Sequence, residues 1–82
     1  MKPKKLPESY SDANQKLAII GERVRKLRKE KNPNYEDFAK KYNINKVTLN
    51  KIETGKSVSM KLFISVLQKL EVTSLEIFFK GL

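Results

Sequence analysis

Apolar residues Leu17, Ile20, Val24 and Leu27 recur at spacings of three and four, the signature of one buried helix face. Arg23, Arg25, Lys26, Lys29 and Lys31 fill the other faces. The spacing predicts a first helix capped by Ser11 or Asp12. It stops at Asn32-Pro33-Asn34, because Pro33 disfavours helical backbone at the residue before it. Gly21 sits inside the pattern and weakens it. A short second helix is predicted over residues 35–42, capped by Asn34, with Glu36 and Asp37 in the first turn and Phe38, Ala39 and Tyr42 facing inward. Asn43-Ile44-Asn45 reads as a tight turn. Asn43 tolerates left-handed backbone, and Asn45 caps a third helix from Lys46 to about Thr54. Leu49 and Ile52 face inward there, and Gly55 ends it. Met60, Phe63, Ile64, Leu67 and Leu70 predict a fourth helix, capped by Ser59 or Ser57. Thr73 with Glu76 fits a capping box opening a last short helix with Leu75, Phe78 and Phe79. No stretch alternates as a strand does. The expectation is an all-α fold of five helices over residues 11–82, preceded by a flexible basic arm over residues 1–10.

Composition narrows what such a fold can do. The 82 residues suit one small domain, with no separate effector domain expected. Eighteen Lys and Arg against nine Asp and Glu give a net charge of +9, so a polyanion is the natural partner. Histidine and cysteine are absent. That excludes disulfides, zinc modules and any catalytic dyad or triad built on either residue; no metal, no cofactor and no enzymatic activity are expected. No apolar run approaches the roughly 18 residues of a membrane span. The basic start, Met1-Lys2-Pro3-Lys4-Lys5, is followed by no apolar stretch of the kind a signal peptide needs. A cytoplasmic protein without membrane contact is the expectation. Gly55-Lys56 lacks the upstream glycine of a phosphate-binding loop.

Two short helices joined by a three-residue turn in a basic domain make a helix-turn-helix. Here the sequence resembles a known family. The run Ile20-Gly21-Glu22-Arg23-Val24-Arg25-Lys26-Leu27-Arg28 through Lys31 is similar to the first helix of the XRE-type regulators of bacteria, the phage-repressor and Cro-like family. Residues 35–56 resemble its helix-turn-helix, and residues 70–78 its closing helices. The resemblance covers about residues 19–79 and implies a lambda-repressor-like fold and transcription regulation. Four positions depart from the family pattern. Tyr35 stands for a glutamine that touches the DNA backbone, Asn43 and Glu71 stand for glycines, and Val58 stands for a proline.

The third helix is then the recognition helix, its N-terminal end in the major groove. With Leu49 and Ile52 in the core, Lys46, Val47, Asn50 and Lys51 are left as base contacts. Lysine suits guanine or phosphate, asparagine suits adenine, and valine suits a thymine methyl. Thr48 has two readings, packing on the first two helices or presenting its hydroxyl to DNA. Asn34, Tyr35, Asn45, Thr54, Lys56, Ser57 and Ser59 are the candidate phosphate contacts, with helix N-termini contributing free N–H groups. Lys40 and the first-helix arginines read equally as solubilising charge. The resemblance further implies an ion pair between Arg28 and Glu53 that pins the third helix to the first. Ile77, Phe78, Phe79 and Leu82 exceed what a small core absorbs and are read as a dimer surface, matching two-fold pairing on a palindromic site.

The expected partners are double-stranded DNA and a second copy of the chain. Other classes stay open. An antitoxin would bind both DNA and a protein toxin, and would need a segment that folds on it; residues 1–16 are the candidate. RNA polymerase is a second possible protein partner. An RNA-binding protein would need an aromatic stacking platform, whereas Tyr10, Tyr35 and Tyr42 are scattered.

Overall fold

The computed structural model describes the backbone of residues 5–82 and the side chains of residues 12–82. Five helices follow in order: α1 Lys5–Lys31, α2 Tyr35–Lys41, α3 Lys46–Glu53, α4 Met60–Lys69 and α5 Leu75–Phe78. The described residues are all-α, as expected. None of these helices is long and apolar enough to cross a membrane.

Helix α1 starts well before the expected cap. Ser11 and Asp12 lie inside it, because nothing between Pro7 and Asn32 breaks a helix and Pro7 falls in the first turn, where its missing N–H is no loss. The expected arm over residues 1–10 therefore overlaps α1 from Lys5 onward. Its first four residues and the side chains of the rest lie outside the described residues.

The shorter helices are fixed by their ends. Asn34, Asn45, Ser59 and Ser74 each accept a hydrogen bond from a first-turn N–H of the helix they precede. At α5 this corrects the expected capping box. Ser74, not Thr73, is the cap, so Glu76 sits one position too early to reach back to it. Helices α2, α3 and α4 end in one way. Asn43, Gly55 and Glu71 take left-handed backbone, with φ of 56°, 80° and 63°. Ile44, Lys56 and Val72 then donate their N–H five residues back, to the carbonyls of Ala39, Lys51 and Leu67 at 2.8, 2.7 and 3.0 Å.

Val24, Phe38, Leu49 and Leu67 form the centre of the core, one from each of the first four helices. Helix α1 packs chiefly on α3. Gly21 makes this possible, and so it is a packing feature and not the weakness its place in the sequence suggests. A Cβ there would lie 2.5 Å from the Ile52 carbonyl oxygen and 2.9 Å from that of Glu53.

Phe78 is buried at 7% exposure, and Phe79 packs against the core with it and Phe63. Phe78 is therefore core and not dimer surface, because the chain after α4 folds back onto α1, where Arg23 Nη1 donates to the Phe78 carbonyl at 2.6 Å. Of the four residues read as a dimer surface, Ile77 is the most open at 73%, and Leu82 is half-buried.

Candidate nucleic-acid interface

Helices α2 and α3 are joined by Tyr42–Asn45. The left-handed Asn43 turns the chain, Ile44 tucks against the core, and Asn45 Oδ1 accepts from the N–H groups of Val47 and Thr48 at 2.8 and 3.3 Å. Each residue of this turn thus holds the role its chemistry suggests. Upstream, Asn32 Nδ2 donates to Asp37 Oδ2 at 2.7 Å while its Oδ1 accepts from the Asn34 N–H at 2.9 Å. That locks the entry to α2, and no spacing rule singles out Asn32 in the sequence.

Helix α3 divides cleanly. Leu49, Ile52 and Glu53 are buried; Lys46, Val47, Asn50 and Lys51 are exposed. Positions i, i+1, i+4 and i+5 share one side of a helix, so the four expected base contacts lie together on the outer face. Val47 is 62% exposed among these polar neighbours. Lys46 Nζ lies 3.7 Å from Glu36 Oε2 in an exposed pair, which water screens and a stronger anion can displace. Thr48 is half-buried.

Glu53 anchors this helix from behind. Arg28 Nε and Nη2 donate to its two carboxylate oxygens at 2.9 and 3.0 Å, a bidentate pair with both residues buried. Arg28 Nη1 also donates to the Pro33 and Asn32 carbonyls at 3.0 and 3.3 Å. The bonds to Glu53 hold Arg28 above its ordinary basicity, outweighing the desolvation that opposes them. Arg25 Nε adds a second cation at 3.4 Å from Glu53 Oε1, a contact the resemblance does not name. One buried carboxylate thereby ties the end of α3 to α1 and to the α1–α2 loop.

Tyr35 departs from its expected role. Its hydroxyl donates to the Lys46 carbonyl at the start of α3, so that proton is committed within the protein and is not offered to a phosphate. Its ring lies 5.6 Å from the Arg28 guanidinium carbon. Burial, and then the Glu53 charge, push its phenol above the usual tyrosine range. Thr54 is committed in the same way, its Oγ1 donating to the Asn50 carbonyl at 2.7 Å. The remaining phosphate candidates keep donors. Asn34 and Asn45 use their oxygens as caps, which leaves their amide N–H groups. Ser59 accepts from Leu62 N–H at 3.2 Å and retains its own proton. Lys56 and Ser57 are exposed on the loop after α3.

A family model described as helix-turn-helix matches residues 24–77, from the last third of α1 into α5. No curated protein and no solved structure matches the chain.

Proposed function

The chain belongs to the XRE-type helix-turn-helix family of DNA-binding transcriptional regulators, and from that premise we propose that it acts as a dimer on a palindromic operator read by α3. The observation that carries the reading is the division of α3. One side is fixed by core packing and the Arg28–Glu53 pair, while the other presents Lys46, Val47, Asn50 and Lys51 together. That set offers two cations, an amide and a methyl surface, the groups that distinguish guanine, adenine and thymine in the major groove. Asn34, Asn45, Lys56, Ser57 and Ser59 flank it as phosphate donors that set register without reading sequence. Regulation on this reading needs no catalysis. Occupation of the operator excludes or recruits polymerase.

Selection of random duplex DNA by the purified protein tests it. Enrichment of one motif with two-fold symmetry is the expected result. Enrichment of nothing, with binding that only tracks salt, would leave non-specific electrostatics in its place.

A further inference from the structure

Residues 35–56, from the start of α2 to the loop after α3, hold three carboxylates, Glu36, Asp37 and Glu53. Two of them serve the scaffold. Asp37 accepts from Asn32 Nδ2 at 2.7 Å at the entry to α2, and Glu53 holds Arg28 behind α3. The third is turned to the reading face. Glu36 Oε2 lies 3.7 Å from Lys46 Nζ. Among the described residues, Lys46 is the one member of the set Lys46, Val47, Asn50 and Lys51 with a charged partner inside the protein.

The backbone of Lys46 is held by the residue before Glu36. Tyr35 donates its hydroxyl to the Lys46 carbonyl, and Asn45 Oδ1 caps the same turn. Two consecutive residues of α2 thus hold the carbonyl and the ammonium of the first residue of α3. A lysine ammonium is a point charge on a long flexible stem. Left free beside DNA, it settles on a phosphate as readily as on a base edge, and a phosphate contact carries no sequence information. A carboxylate at this face opposes a polyanion, so Glu36 serves binding only through what it does to Lys46. An acidic residue in the first turn of α2 also complements the helix dipole, but that benefit does not depend on Lys46, which separates the two roles.

We infer that Glu36 is a positioning residue for sequence reading, which keeps the Lys46 ammonium off the phosphates and directs it to a base edge. This deepens the reading of α3 above and rests on it. The base class is guanine, whose O6 and N7 accept from a cation in the major groove. In the free protein the pair is exposed on both sides and weak in water. Docked DNA displaces that water, and the attraction strengthens as the local dielectric falls. A stem already restrained before binding also loses less freedom on binding.

A double-mutant cycle of Glu36→Gln and Lys46→Ala on the full chain tests this. Affinities are measured over a salt series for the duplex enriched by selection and for a random duplex. Both side chains are exposed, so the substitutions leave the protein folded, which circular dichroism checks. Glu36→Gln should bind the random duplex more tightly, with a salt dependence steeper by about 0.9, the mark of one added phosphate contact. It should lower the ratio of selected to random affinity by about threefold or more, part of what one base contact supplies. In the Lys46→Ala background it should change that ratio no further. A ratio unchanged by Glu36→Gln, or lowered equally with and without Lys46, would overturn the inference; if Lys46→Ala alone still lowers it, the reading of α3 stands. A ratio that neither substitution moves would overturn the inference and the base contact by Lys46 together.

Discussion

Glu53 is a carboxylate at 5% exposure held by one buried guanidinium and approached by a second. Removing either member of the buried pair strands a charge, at a cost of roughly 3–5 kcal/mol. Arg28→Ala and Glu53→Ala should each lower the thermal midpoint sharply and weaken DNA binding with it. Unchanged unfolding in both would remove the pair from the account. Tyr35 acts one step further out, linking the start of α3 to the same pair. Tyr35→Phe should cost about 0.5–1.5 kcal/mol, the net worth of one hydrogen bond, read by urea unfolding. Its pH dependence has a definite sign. A phenol whose folded pKa is raised contributes stability that is full below its unfolded value near 10 and lost as pH rises through the folded value. The natural chain should therefore lose stability faster than Tyr35→Phe above about pH 10, and parallel pH profiles for the two would contradict that role.

The left-handed helix ends carry the next scale. Glu71 takes a conformation that costs a non-glycine residue roughly 1–2 kcal/mol, and its contact with Lys31 is largely exposed. Glu71→Gly should raise stability by about 0.5–1 kcal/mol after glycine's greater freedom when unfolded is subtracted. That corresponds to a few degrees in the midpoint of a domain this size, and a lowered midpoint would show that the Lys31 contact matters more. Gly21→Ala should act in the opposite direction. Alanine gains about 1 kcal/mol in helix propensity, but its Cβ would meet the α3 backbone at 2.5 Å, where relief needs main-chain movement. A midpoint that rises in calorimetry would refute the close approach. These elements also show what the sequence makes legible. Caps and turns are read from local chemistry, so Asn34, Asn43, Asn45 and Gly55 stand where their residue types place them. The start of α1 was not legible, because a polar stretch with a proline in its first turn looks like an arm. Nor were the neighbours of Gly21 and Tyr35, since a spacing rule does not show which carbonyl from another helix comes close. The burial of Phe78 is hidden from the sequence for a related reason: an apolar chain end looks surplus when the folding of α5 against α1 is not in view.

For the molecule as a whole, the division of α3 is the central matter, since on the proposed reading its buried side holds the helix in place and its exposed side reads DNA. Lys46, Val47, Asn50 and Lys51 are exposed and support no core, so substituting Lys46 and Asn50 should leave the fold intact and change only recognition. The most direct measurement is the ratio of affinities for the selected operator and a scrambled duplex, at one salt concentration, for the natural chain and for Lys46→Ala with Asn50→Ala. The natural ratio should be about 10³ or more. Each lost base contact is worth roughly 1–3 kcal/mol of discrimination, so the double substitution should reduce the ratio to about tenfold or below while circular dichroism and the unfolding midpoint stay put. A ratio that survives the double substitution unchanged would contradict the assignment of α3 as the element that reads the sequence.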